Sequence, residues 1–436
     1  MSATDTPHDP QQASHLALHR TIEAVWRIES ARVIAGLTRL TRDVGLAEDL
    51  AQEALVAALE QWPQSGVPDN PAAWLTATAK RRAIDLFRRN AVAARKHEEL
   101  ARELEALEQT SPDLDSSLDN TISDDLLRLV FISCHPILST ESRGALTLRL
   151  LGGLTTAEIA RAFLTPEPTI AQRIVRAKRT LAEKHIPFEG PRGPELAARL
   201  SSVLEVIYLI FNEGYTATAG DDLIRPTLCE DALRLGRILA ELTPQEPEVH
   251  GLVALMEIQA SRTPARIGPT GEPILLLDQN RAHWDLLLIR RGLAAIERAH
   301  QISTSREINS GRGPYLLQAE IAGCHARAHT PAATDWPRIV SLYTELAQLT
   351  PSPVIELNRA VAVSMAHGPQ AALDLVEALA TDPSLERYHL LPSVRADLLY
   401  KVGRHAEARV EFERAAALTQ NTRERALLLA RAAAIR

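Results

Sequence analysis

The sequence predicts an all-α chain. Alternation of apolar and polar residues, the mark of a half-buried strand, is nearly absent. Apolar residues recur instead at spacings of three and four, as in Leu196, Leu200, Val203, Leu204 and Ile207. Alanine and leucine, the better helix formers, are abundant, and 26 prolines punctuate the chain. At 436 residues, 45% of them hydrophobic, the chain has material for roughly two to four domains.

Composition narrows the function classes. The 48 basic and 55 acidic residues give a net charge of −7, so the total does not announce a nucleic-acid binder. Three separated cysteines, Cys134, Cys229 and Cys324, exclude a disulfide scaffold. No apolar run approaches the ~18–20 residues of a membrane span. The stretch Met1 to Gln12 is polar and carries Asp5 and Asp9, unlike a signal peptide. The expectation is a soluble, cytoplasmic chain with no membrane partner.

Charge lies in blocks. From Lys80 to Lys96 there are seven basic residues against one acid, Asp85. From Glu98 to Asp125 there are ten acids against one base, Arg102, broken by Ser111, Pro112, Ser116 and Ser117. That block reads as a flexible acidic linker after a short helix. A second basic stretch runs from Arg173 to Lys184, and the chain beyond it is mildly acidic.

Taken in order, Asp43 to Leu59 (DVGLAEDLAQEALVAAL) places Leu46, Leu50, Ala54, Ala57 and Ala58 on one helix face and Glu48, Asp49, Gln52 and Glu53 on an acidic one. A loop from Gln61 to Pro68 follows. Asn70-Pro71, an N-cap and a first-turn proline, then open a helix reading NPAAWLTATAKRRAIDLFRR. Its Lys80, Arg81, Arg82, Arg88 and Arg89 interleave with Trp74, Leu75, Ile84 and Phe87, a mixture suited to single-stranded DNA. For Trp74 and Leu75, core packing is the better reading. Further on, Thr155 or Thr156 caps a short helix, with Glu158 in capping-box position. Ile159, Ala160 and Phe163 form its inner side. After a turn from Thr165 to Pro168, a second helix turns Ile170, Ile174, Val175 and Leu181 inward and Gln172, Arg173, Arg176 and Lys178 outward. This is a helix-turn-helix layout, and Gln and Arg are the side chains that read adenine and guanine edges in the major groove.

Together AEDLAQEA (47–54), the helix over 70–89 and the block ESRGALTLRLLGGLTTAEIARAFLTPEPTIAQRIVRAK (141–178) resemble bacterial RNA polymerase sigma factors of the extracytoplasmic-function (ECF) type. The resemblance implies region 2 over 15–92, the acidic linker over 93–123 and region 4 over 124–185. It implies that Asp43, Glu48, Asp49, Gln52 and Glu53 bind core RNA polymerase. The −10 element would meet the loop from Gln61 to Asn70 and Lys80, Arg81, Arg82, Arg88 and Arg89. The −35 element would meet Thr169, Gln172, Arg173, Arg176 and Lys178. Core polymerase and promoter DNA are the implied partners.

Beyond Lys184 the phrases VIYLIFNEGYTAT (206–218), LLDQNRAHWD (276–285), GPYLLQAEIAGCHA (313–326) and PSPVIELNRAVA (351–362) look like the sigma subgroup with a long C-terminal extension. A helical extension over 186–300 is expected to lead into tetratricopeptide-like repeats over 301–436. Ala396, Leu399, Gly403, Ala408, Phe412 and Ala415 match that repeat's helix-packing positions, with Ala360 and Ala372 starting the preceding unit. Stacked helix pairs leave a groove for a protein partner or for another part of the same chain.

Chemistry of other kinds is not expected. Cys134-His135 and Cys324-His325 lack the spacing of a metal site. Asn212-Glu213-Gly214-Tyr215 reads as a helix end, with Gly214 terminating it and Glu213 and Tyr215 bonding nearby backbone. Arg225, Asp278, Gln279, Arg281 and Trp284 could line a cleft, but a charged helix surface is the simpler reading. No phosphate loop, zinc-protease or nucleophile-elbow motif occurs, so neither catalysis, cofactor nor metal is expected. The competing reading is a helix-turn-helix operator-binding regulator with a tetratricopeptide sensor. It leaves AEDLAQEA and the 70–89 helix without a role.

Overall fold

The computed structural model describes residues 10–91, 115–163, 165–191, 194–217, 219–269, 271–305 and 312–435. These form helices connected by loops, with one pair of two-residue strands. The chain divides into two compact units, residues 1–206 and 207–436. The first unit therefore extends past the boundary near 185 that charge patterning suggests.

The first unit opens with α1 (Pro10–Thr41), α2 (Val44–Ser65) and α3 (Pro71–Ala91). Asp43 caps α2 by accepting from the Gly45 and Leu46 amides at 2.7 and 3.1 Å. Asn70 caps α3 through the Ala73 amide at 3.0 Å, as its sequence context predicts. Alanines line the helix crossings: Ala47, Ala51, Ala54, Ala57 and Ala58 of α2 and Ala79 and Ala83 of α3 are all buried. Small side chains let these helices approach closely, and Ile34, Leu37, Trp62, Leu75 and Phe87 fill the space between them. Leu75 and Phe87 are thus core residues. Trp74 is half-buried with its ring edge-on to Trp62, 5.4 Å between centroids.

Helix α4 (Asp115–Ser133) starts inside the stretch expected to be a flexible linker. Residues 92–114, the rest of that linker, lie outside the described residues. Leu126, Leu129 and Val130 of α4 are buried, and Asp125 takes ion pairs from Arg39 of α1 and from Arg128, both at 3.0 Å. Then come α5 (Thr140–Leu150), α6 (Thr156–Ala162) and α7 (Glu167–Glu183). Thr155 and Glu158 form the expected capping box on α6. The turn before it needs Gly153, at φ +68°, where an added Cβ would lie 2.9 Å from Ser30 Oγ and 3.3 Å from Arg27 Cα. Residues from the start of α8 (Pro194–Tyr215) complete the unit. Ser202 accepts from Arg143 and donates to the Cys134 carbonyl at 2.7 Å, and Arg199 donates to the Phe131 carbonyl at 2.9 Å.

The second unit continues from the end of α8 through α9 (Pro226–Leu242), α10 (Pro247–Ala260), α11 (Leu286–Ser305), α12 (Pro314–Arg327) and α13 (Trp336–Leu349). It ends with α14 (Pro353–His367), α15 (Pro369–Leu379), α16 (Leu390–Lys401), α17 (His405–Leu418) and α18 (Thr422–Ala434). Each helix from α12 onward packs on its successor. Ala360, Ala372, Ala396, Leu399, Ala408, Phe412 and Ala415 are buried at these crossings. Gly403 is a correction: at φ +84° with open space around it, it makes the turn between α16 and α17 and packs nothing.

The end of this unit is tied to its beginning. Strand β1 (Ala219–Gly220) pairs in parallel with β2 (Gln420–Asn421). Asn421, fully buried, donates to the carbonyls of Ala217 and Asp222 at 3.2 and 2.9 Å. No helix among the described residues is long and apolar enough to cross a membrane.

Candidate nucleic-acid interface

The first unit brings three charged surfaces together. On α3, Arg81, Arg88 and Arg89 are exposed, while Arg82 is half-buried and paired with Glu53 of α2 at 2.8 Å. The Arg89 Nε donates to the Asp85 carbonyl. Lys80 keeps an exposed side chain. The protein packed around its ammonium, and then the Arg39 guanidinium, lower its pKa from the usual lysine value.

On α7, Ile170, Ile174, Ala177 and Leu181 face the core. Val175 does not: it is 63% exposed, a correction to its expected inward place. At ~100° per residue it lies a fifth of a turn or less from Gln172 and sits beside Arg176. Gln172 and Arg176 are exposed, and Thr169 and Arg173 are half-buried on the same side. Lys178 leaves this face, being turned by about 200° from Arg176.

Lys178 instead reaches the acidic helix α2. Its ammonium lies 2.5 Å from Glu48 and 3.8 Å from Asp49. Arg149 of α5 donates to the other Glu48 oxygen at 2.6 Å and to the Leu154 carbonyl at 3.1 Å. Gln52 also donates to Glu48. Glu48, expected on an open acidic face, is therefore buried and held by two cations. The reason is local: its side chain lies toward the face of α2 that carries the buried Ala47, Ala51 and Ala58. Asp49 and Glu53 remain exposed, and the Asp43 carboxylate caps its helix.

A second link joins α1 to α6. Arg27 donates to Glu158 at 2.8 Å. Burial works to raise the Glu158 pKa, but hydrogen bonds from Thr155 and Arg27 outweigh it and leave it lowered. An open groove of about 700 Å³ lies beside these links, lined among others by Trp26, Leu55, Val56, Glu48 and Arg149. Arg149 and Arg27 had no signal in the sequence: each has its carboxylate partner, Glu48 and Glu158, more than a hundred residues away.

Two family models match this unit: Sigma-70 region 2 over residues 27–92 and Sigma-70, region 4 over residues 128–181. The ECF RNA polymerase sigma factor SigK of Mycobacterium ulcerans is 31% identical over 156 residues, which cover 34% of this chain and 78% of that protein. The chain belongs to the ECF sigma factors.

In the matched ranges region 2 precedes region 4, here α1–α3 before α4–α7. The probable ECF RNA polymerase sigma factor SigI of Mycobacterium tuberculosis is 25% identical over 173 residues, 39% of this chain and 58% of that protein. The similarity to an uncharacterized protein of Rhizobium meliloti runs through both parts of the chain: 43% identity over 399 residues, 91% of this chain and 92% of the other. Residues 199–300 match a family of unknown function, DUF6596. No solved structure matches the chain.

In the second unit, the residues around 212–215 and 276–284 sit differently from expectation. Gly214 lies within α8 rather than ending it, where a Cβ would meet the Cys229 amide at 2.7 Å. Glu213 pairs with Arg225, and Tyr215 stacks on Phe211 and carries the Arg266 guanidinium on its face at 3.8 Å. Gln279 and Trp284 are buried in a loop, not on a helix surface. Arg281 lies over the Trp284 ring at 5.0 Å. Among the described residues no group of three or more His, Cys, Asp or Glu could hold a metal ion.

Proposed function

We propose that this sigma factor binds core RNA polymerase through α2, opens promoters with α3 and the loop before it, and reads the −35 element with α7. The observation that carries this reading is the pair of exposed basic surfaces in matched regions 2 and 4. Asp49 and Glu53, exposed beside Glu48, contact the polymerase, and Asp43 and Gln52 shape that end of the helix. Asn70 positions the start of α3, and Lys80, Arg81, Arg82, Arg88 and Arg89 follow the phosphates and bases of the −10 element. Thr169, Gln172, Arg173 and Arg176 contact −35 DNA, and Lys178 joins them only when it leaves Glu48. The arrangement with Glu48 held by Arg149 and Lys178 is a closed form. Engaging polymerase and both promoter elements requires regions 2 and 4 to part. No step in this function requires catalysis or a cofactor.

The second unit is a regulatory extension whose tetratricopeptide-like helices present a surface to a protein partner or to the sigma regions themselves. The reading is tested by gel filtration of core polymerase with the chain and with Asp49→Lys. Wild-type protein co-elutes, and the variant binds about tenfold more weakly, ~1.4 kcal/mol, with unchanged circular dichroism. Equal affinity of the two proteins would remove the acidic helix from the interface.

A further inference from the structure

Arg262, in the loop after α10, stands apart from the other buried arginines. It is 8% exposed, yet its side chain makes no hydrogen bond and no ion pair among the described residues. Arg143, equally buried, is bonded to Thr140, Ser202 and Glu205. Arg266 holds the Tyr215 carbonyl and Thr216 Oγ1. The Arg262 guanidinium lies 5.8 Å from the centre of the Trp284 ring. Its Nε is sealed from solvent without an acceptor, so the remaining exposure lies at the outer part of the side chain, where an acceptor can reach the terminal nitrogens.

The groups around it deepen the imbalance. Arg281 lies on the same Trp284 ring and donates to the His325 carbonyl at 2.9 Å and to Thr334 Oγ1 at 3.2 Å. Burial, and then the charges of Arg262 and Arg281, push the His325 pKa down to about 3, so the imidazole adds no acceptor charge. Burial pushes Tyr343 up to about 12, with Arg262 pulling the other way. A buried guanidinium with no anion beside it is costly, and a protein relieves that cost by pairing the charge. The carbonyl end of α10 offers only a diffuse partial charge. What the guanidinium fits is a planar or tetrahedral oxyanion, taken bidentately.

We propose that Arg262 anchors a small anionic ligand, bearing a carboxylate or a phosphate, at the outer end of its side chain in the extension, with the buried Trp284 ring beside the guanidinium as its reporter. The site lies wholly within the second unit and is independent of promoter binding. It gives the extension a chemical input.

The test is the melting of the full-length chain, of Arg262→Met and of Arg262→Lys in chloride, inorganic phosphate and citrate at matched ionic strength and pH 7. Tryptophan emission is followed in parallel, with Trp284→Phe to assign the signal. The wild type should melt about 3 °C or more higher in at least one of the two oxyanions than in chloride. A rise in phosphate alone identifies a phosphate-bearing ligand, and a rise in citrate alone a carboxylate. Arg262→Met should melt higher than wild type in chloride, because it removes an unpaired buried charge, and should lose the oxyanion response. Arg262→Lys, which keeps the charge, should retain part of that response. Trp284→Phe should lose the emission change. A wild type unmoved by both oxyanions, an Arg262→Met protein that responds as wild type does, or one that melts lower in chloride would each overturn the proposal.

Discussion

Glu48 decides how the first unit is held. A carboxylate on the buried face of α2 needs cations, and it finds them in Arg149 and Lys178 of region 4. Removing one side of such a buried pair is costlier than the pair is worth. Glu48→Gln should therefore lower stability by about 2–3 kcal/mol in urea unfolding, while Lys178→Met, whose ammonium end is less enclosed, should cost less. Equal, negligible effects would show that the pairs are ornamental. In the second unit His325 sets a pH dependence. Its folded pKa, about 3, lies below the ordinary histidine value, so the unfolded chain binds the proton first as pH falls. Stability is fully present above about pH 6.5 and is lost progressively toward pH 3. Between pH 6.5 and 5 that single group accounts for about 2 kcal/mol, and His325→Asn should flatten the slope by that amount.

At the scale of elements, α7 carries the sharpest prediction. A bidentate arginine–guanine pair is worth roughly 1–3 kcal/mol of discrimination, while a phosphate contact is blind to sequence. Arg173→Ala and Gln172→Ala should relax preference at −35 positions in a randomised-promoter selection, and Arg88→Ala should lower open-complex yield on all promoters alike. The Asn70 cap, core alanines and the capping box were legible because each rests on neighbours in sequence: Asn70 before its helix, Thr155 and Glu158 three residues apart. Helix faces were legible to within one position. Val175 was misplaced because apolar residues at 174 and 175 compete for one inward slot, and the spacing 170, 174, 177, 181 settles it for Ile174. The partners of Glu48 and Lys178 were not legible, since they meet across more than a hundred residues and nothing local marks them.

The whole molecule combines a sigma factor with a second helical unit. Cutting the chain after His185 would remove Arg199, Ser202 and Glu205, leaving Arg143 with Thr140 alone and the Phe131 and Cys134 carbonyls without these donors. A fragment ending at Tyr215 should therefore unfold at a higher urea concentration than one ending at His185. The longer fragment should also differ from the full chain in transcription, and identical activity would make the extension a passenger. Run-off transcription on a library of upstream genomic fragments with purified core enzyme tests most directly whether this chain gives core RNA polymerase its promoter choice. Discrete transcripts that appear only when the chain is added, and that share spaced −35 and −10 elements, are the predicted result. Core polymerase that yields the same transcripts with and without the chain would contradict it.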